Sequence, residues 1–471
     1  MTCLSKLPVE ILTRICQFVG RMSANPLQNL CLANKTFNEI GSPWLIQRWS
    51  HSQDCPTPHM IPFLLRLLEH PKLRKQIKSL GIIYESTLGA PHTSIELDKK
   101  TRSHLSKTAA SDVNMETYYL ASLCAHIQRG YEDALAVLFL AWCPGLTHLS
   151  LTIPQFSVIE GDHSHILTFA REAILQLTRD EETGENLPLA ELRHIELHCY
   201  DRWHWFYYEM ATMFFHLPKL KSLLISGLSD FPTIEMDWTG EYADRYTLPI
   251  SDASSTIEEL ILTKAGLASD GLETLLIGIK NLRKLKIQLS HSPQEDIPDR
   301  EQIAETIKIC QGTLEEYDIQ IESHRCLLDP DSRNLDYDLL ADEILLVEDI
   351  YQDFIHLRRI SCPMTDLLCQ VPDDTEHKLN IILSRLPGSI EYLKPRCPDM
   401  VNGWVSSEER AKPYTEAFVK LLNQAGSGQW FHNLKVLDLS ETFVDDPDTV
   451  DIVRLKDIAK SRGVQLLLHQ G

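Results

Sequence analysis

Apolar residues in the first fifty positions recur at helical spacing. Ile11, Leu12, Ile15, Cys16 and Val19 fall at i, i+1, i+4, i+5 and i+8, which is one stripe of an amphipathic helix. Pro8 suits the first turn, Glu10 sits where a carboxylate favours the exposed N–H groups, and Gly20 is a plausible stop. A second helix is expected to start near Pro26, with Leu27, Leu30, Cys31 and Phe37 on one side. A third is expected near Asn38 to Trp49, carrying Ile40, Trp44, Leu45 and Trp49.

Beyond residue 76 the pattern changes to an apolar triplet with spacing L-x-x-L-x-L. It occurs as Ile77/Leu80/Ile82, Leu146/Leu149/Leu151, Leu192/Ile195/Leu197, Leu220/Leu223/Ile225 and Ile257/Leu260/Leu262. It continues as Leu282/Leu285/Ile287, Leu314/Tyr317/Ile319, Leu357/Ile360/Cys362 and Leu434/Leu437/Leu439, with degraded copies at Ile390/Leu393 and Val464/Leu467. The second and third apolar positions alternate as one face of a strand must, and the first anchors the approach to it. Helical patterns lie between the triplets: Met115 to Trp142, Trp203 to Phe215, Gly271 to Lys280, Arg300 to Cys310, Leu339 to Phe354 and Ala411 to Leu422. Pro71, Pro144, Pro188, Pro218 and Pro387 punctuate the turns just before a triplet. Strand, helix, strand, at spacings from 25 residues (Ile257 to Leu282) to 46 (Leu146 to Leu192) apart from the longer first interval, Ile77 to Leu146, predicts an α/β fold with a parallel sheet and helices outside.

Residues between the anchors test whether consecutive copies are neighbouring strands. They read Glu258 and Glu259, then Arg283, Lys284 and Lys286, then Glu315, Glu316 and Asp318, then Arg358 and Arg359. Alternating sign is what cross-strand pairing of adjacent copies requires. The same pairing argues against a ligand site there, because the charges satisfy one another.

Composition narrows the function. With 471 residues, 43 % of them hydrophobic, the chain has ample material for a core. A formal net charge of −21 is the wrong sign for general nucleic-acid binding, although a local basic stripe is compatible with it. The longest strongly apolar run, Ala134 to Cys143, is too short to cross a bilayer, and the N-terminus lacks a secretory pattern. Twelve cysteines without a C-x-x-C pair read as reduced core thiols of a cytoplasmic or nuclear protein. Phosphate-binding, nucleophile-elbow and zincin motifs are lacking, so no enzyme activity and no cofactor are expected. His194-Ile195-Glu196-Leu197-His198 lies on a predicted strand and reads as a surface histidine pair. His51, Cys55 and His59 lack a second ligand cluster, and Asp201 to Trp205 reads as a helix start.

Two stretches carry a family resemblance. Leu7-Pro8-Val9-Glu10-Ile11-Leu12-x-x-Ile15, followed by Leu27-x-x-Leu30-Cys31-Leu32-Ala33-Asn34-Lys35-x-Phe37-Asn38, resembles an F-box. The family usually has Trp where Phe37 stands and a larger apolar residue than Cys16. The resemblance covers about residues 1–50 and implies docking on the Skp-type adaptor of a cullin–RING ubiquitin ligase. Leu7, Pro8, Ile11, Leu12, Ile15, Leu27, Leu30 and Leu32 would carry that docking, some of them as the module's own core. The triplets from residue 51 to 471 resemble an irregular leucine-rich-repeat solenoid. The family's usual Asn or Cys after the third apolar residue is missing: those positions hold Pro154, Tyr200, Leu228, Ala265, Ser290, Glu322, Thr365 and Thr442.

Polar insertions are expected near 85–114 and 229–255, the second with Trp238, Tyr242 and Tyr246; Arg179 to Asn186 is an acidic loop. The Trp238 loop is the first place to look for partner contact, although packing of its aromatics onto the array is the plainer expectation. Together these features imply an adaptor that presents an unidentified protein substrate for ubiquitin transfer, without nucleic acid or membrane. The alternative is a repeat scaffold outside any ligase, its N-terminal helices serving as a cap.

Overall fold

The computed structural model describes residues 7–22, 24–52, 60–83, 96–153, 164–179, 187–199, 206–230, 246–267, 269–290, 300–321, 351–363, 367, 386–396, 408–426, 430–441 and 450–469. They form an α/β structure with twelve parallel strands in one sheet, ordered in space as along the chain. The strands are β1 (Arg48–Ser52), β2 (Ser79–Ile83), β3 (His148–Ile153), β4 (His194–Cys199), β5 (Ser222–Ser226), β6 (Glu259–Ala265), β7 (Lys284–Leu289), β8 (Glu316–Ile321), β9 (Arg359–Pro363), β10 (Tyr392–Arg396), β11 (Val436–Asp438) and β12 (Gln465–Leu467). The chain divides into two compact units, Met1–Leu223 with Pro232–Ile250, and Leu224–Phe231 with Ser251–Gly471.

Every apolar residue of the nine full triplets is buried, so the spacing marks the strands and their inward face. Register stacks them: Leu80 pairs with Leu149 and Leu149 with Ile195, while Leu260, Leu285, Tyr317, Ile360, Leu393 and Leu437 form a continuous row. The final copy is offset by one residue, because Leu466, not Leu467, pairs with Leu437. Backbone hydrogen bonds join neighbouring copies at the approach to the strands. The Lys78 carbonyl accepts from the Thr147 and His148 N–H groups, and the Thr147 carbonyl from those of Arg193 and His194. In the second unit, the carbonyls of Glu258, Arg283, Glu315 and Arg358 each accept from two consecutive N–H groups of the next copy.

In the first unit, α1 (Val9–Met22), α2 (Ala24–Ala33) and α3 (Lys35–Gln47) pack on one another. Asn34 caps α3, its Oδ1 accepting from the Thr36 N–H at 2.8 Å. The third helix stops at Gln47, short of the expected Trp49, and the chain enters β1 without a linker. A boundary at residue 50 therefore falls inside a strand. Trp49 pairs with Leu80 and stacks at 4.6 Å on Phe139 and 5.2 Å on Phe63 of α4 (Met60–Glu69).

Several expectations are corrected. Part of the polar stretch 85–114 is a helix, α5 (Lys99–Asp112), capped by Asp98 and buried through Leu105, Ser106 and Ala109. Few large apolar residues mark it, and polar contacts hold it: Asp112 accepts from Trp142 Nε1 at 3.0 Å and pairs with Arg74, whose guanidinium lies 4.2 Å over the Trp142 ring. The single helix expected over Met115–Trp142 is two, α6 (Thr117–Arg129) and α7 (Glu132–Trp142), because Gly130 adopts φ +82° and ends the first. Residues Ala134–Leu140 and Trp142 of α7 are buried, which accounts for the apolar run there. At the start of α8 (His165–Arg179), Asp133 accepts from the His165 N–H at 2.7 Å. Of the insertion near 229–255, Tyr246 is buried, with its hydroxyl accepting from the Ser164 N–H at 3.0 Å. Trp238, Tyr242, Cys55, His59, residues 180–186 and 201–205, and most of the helix expected over Leu339–Phe354 lie outside the described residues.

No described helix is long and apolar enough to cross a membrane. Seven cysteines lie among the described residues, and five of them are buried.

Candidate functional site

The three N-terminal helices close around a small core of Leu12, Cys16, Leu27, Cys31 and Phe37, with Val19, Leu30, Ile40, Trp44 and Leu45 packed against it. Both departures from the F-box pattern, Cys16 and Phe37, are core residues. Gly41 makes this closure possible: a Cβ there would lie 2.5 Å from Cys31 Sγ and 3.3 Å from Leu27. Sequence reasoning missed Gly41, since a glycine inside a helix pattern signals nothing until the neighbouring helix is placed. Burial raises the thiol pKa of Cys16, with Cys31 adding to it, and burial likewise raises that of Cys31, as suits apolar packing groups.

This core sorts the eight candidate docking residues. Leu12 and Leu27 are buried and offer no surface, so they leave the docking set; they hold the helices together. Leu30 packs against the same core, and Ile15 is half-buried. Leu7, Ile11 and Leu32 remain 38 %, 42 % and 79 % exposed, and Pro8 is exposed as well. The Pro8 carbonyl accepts from the Ile11 and Leu12 N–H groups and starts the helix. Phe18, 66 % exposed, belongs with them and was missed. Its signal is the spacing Ile11, Ile15, Phe18. At about 100° per residue, Ile11, Ile15 and Phe18 span an arc of roughly 60°. Leu12, Cys16 and Val19 lie about a quarter turn away. So α1 carries two apolar stripes, one spent on its own core and one facing outward.

The outward faces of the sheet differ between the units. In the second unit the predicted alternation of charge is realised across the strands. Lys284 lies 3.7 Å from Glu316, Lys286 3.6 Å from Asp318, and Arg283 3.8 Å from Glu315. Arg396, 14 % exposed, donates to both Asp318 oxygens and both Glu441 oxygens at 2.9–3.2 Å, and to Ser361 Oγ at 2.7 Å. Nearby, burial pushes the Asp438 carboxyl up, but hydrogen bonds from Ser440 and Tyr392 outweigh it and hold the group below the usual range. In the first unit the corresponding rows run Arg48, Ser79, His148, His194 and Ser50, Gly81, Ser150, Glu196. The His148 and His194 rings stack at 4.4 Å, and Thr147 Oγ1 lies 2.9 Å from His148 Nδ1.

No protein-family model matches the chain, and no curated protein matches it.

Proposed function

We propose that this chain is a substrate-recognition adaptor of a Skp–cullin–F-box ubiquitin ligase. The N-terminal helices dock on the Skp-type adaptor, and a leucine-rich-repeat-like array holds the target protein. The observation that carries this reading is the outward stripe of Ile11 and Phe18 on α1, with Leu7 exposed just before the helix, beside a core that is already complete without them. Exposed apolar side chains grouped on one helix face are what a partner covers. Leu32 of α2 adds a further exposed apolar residue. The protein performs no bond chemistry; it raises the effective concentration of the target near the ligase. Direct passage from α3 into β1, with Trp49 stacked on Phe63 and Phe139, suits that role, because it couples the docking helices to the first strands without a free joint.

The same continuity favours a second reading, a repeat scaffold outside any ligase whose N-terminal helices close the edge of the sheet at β1. That reading leaves the outward stripe unexplained. Binding of the purified chain to a purified Skp-type adaptor separates the two. A stable complex is expected; a folded chain that does not bind leaves the scaffold.

A further inference from the structure

We propose that Cys16 and Cys31 are a redox-sensitive pair, whose thiols hydrogen peroxide joins in a disulfide that staples α1 to α2. The bond itself is independent of any partner. Its consequence for docking rests on the reading of α1 as the adaptor-facing helix.

The two thiols come from different helices and converge on a third. A Cβ on Gly41 of α3 would lie 2.5 Å from Cys31 Sγ and 3.6 Å from Cys16 Sγ, so the sulfurs are no further apart than the sum of the two, 6.1 Å. They are two of the five buried residues at the centre of the module, with Leu12, Leu27 and Phe37 around them. Among the described cysteines whose pKa is raised, Cys16 is the one to whose shift another thiol, that of Cys31, contributes. A buried cysteine packs as a small hydrophobe, but its reactivity sets it apart from the alanine or valine that would fill the same space.

The closed module keeps both sulfurs protonated and covered, so oxidation follows its opening. A core of five buried residues gives way locally far more readily than the array unfolds. Cys31 is 6 % exposed against 0 % for Cys16, and its Sγ donates to the Phe37 carbonyl at 3.4 Å. Once uncovered, the Cys31 thiol loses its proton and its sulfur attacks a peroxide oxygen. The O–O bond breaks, the sulfur becomes a sulfenic acid and one water leaves. The Cys16 thiol then loses its proton and attacks that sulfur, the S–O bond breaks, and a second water leaves. Two thiols and one hydrogen peroxide thus give one disulfide and two waters. Cellular thiols reverse the bond by exchange, so it acts as a signal and not as a permanent staple.

Closing the bond brings the sulfurs from as much as 6.1 Å to about 2 Å, which draws α1 against α2. Cys16 lies between Ile15 and Phe18 along α1, and Cys31 between Leu30 and Leu32 along α2. A shift of either helix therefore displaces exposed apolar residues, and adaptor binding weakens on oxidation.

The test treats the full chain with hydrogen peroxide, blocks remaining thiols with N-ethylmaleimide and maps disulfide-linked peptides by mass spectrometry. Cys16–Cys31 is expected to be the dominant linkage among the chain's twelve cysteines, and dithiothreitol should reverse it. In a Cys16→Ala variant, Cys31 should stop at the sulfenic acid and be trapped by dimedone. The bond is refuted if the folded wild type yields no such linkage, whether its cysteines stay reduced or link elsewhere. It is equally refuted if the linkage forms no faster in the folded chain than in urea. Titration of a purified Skp-type adaptor then compares reduced and linked wild type: linkage should weaken binding at least about fivefold, and dithiothreitol should restore it. Undiminished binding by the linked chain overturns the consequence for docking. A reduced, folded chain that does not bind the adaptor sinks the ligase reading and leaves the mapped linkage standing, so the two fail separately.

Discussion

The strand array and the N-terminal helices treat their apolar residues differently. In the array, every side chain of the nine full triplets is buried, and most of the positions between them are polar or charged. In α1 the apolar residues exceed what the core takes up: Leu12 and Cys16 go inside, while Ile11 and Phe18 stay outside. A chain that buries its strand residues so completely does not lack the means to cover a few more. The exposed stripe is therefore informative in a way that a scattered surface leucine is not.

The first way to break this comparison is at the array's interior, where the largest effect is expected. Phe139→Ala removes a fully buried ring stacked on Trp49 and Phe63, and should cost about 3–5 kcal/mol in urea unfolding. A loss below about 1 kcal/mol would mean that the stack does not tie β1 to the helices. Next is the charged face of the second unit. Arg396→Ala leaves Asp318 and Glu441 without the guanidinium they share, and should cost about 1–3 kcal/mol, attenuated by salt. No measurable loss would identify the paired charges as ornament on a face held together by its apolar side alone.

A smaller effect is expected at Asp133, where burial pushes the carboxyl up to about 7, against hydrogen bonds from the His165 and Ile166 N–H groups and from Ser164. The unfolded group titrates near 3.9, so the folded state holds the proton more tightly and stability falls as pH rises from about 4 to about 7. Asp133→Asn keeps an acceptor for the α8 N–H groups and removes that slope. Above about pH 7 the variant should melt about 2–4 °C higher than wild type, and below about pH 4 no higher. A variant that melts lower at about pH 8 would show that the charged carboxylate is the stabilising form.

Much of the sheet was legible because its signal is local: an apolar triplet and alternating charges need only the next copy to make sense. Glu316 between Lys284 and Arg359 is the clearest case. What escaped depends on distant neighbours or on a single backbone angle. Strand β1 was hidden because Trp49 takes the place of a leucine and the polar His51 stands where the other strands carry a second apolar residue in sequence. The break at Gly130 turns on one positive φ, and α5 rests on capping and on Asp112 meeting Trp142 and Arg74 from other elements. The candidate docking surface was half legible. The sequence supplied the apolar residues of α1 and α2, but a helix with two adjacent stripes reads as one wide stripe until the partner helices are placed. Only then do Leu12 and Leu27 separate from Leu7, Ile11 and Phe18.

The smallest effect on stability should accompany the largest effect on binding. Leu7→Asp with Ile11→Asp changes two exposed side chains outside the core and should shift the unfolding free energy by no more than about 0.5 kcal/mol each. Calorimetric titration of a Skp-type adaptor into wild type and this double variant tests the central claim most directly. The account predicts a complex with wild type and no detectable heat with the variant, whose melting curve is unaltered. Equal binding by both, or a folded wild type that does not bind, would contradict it.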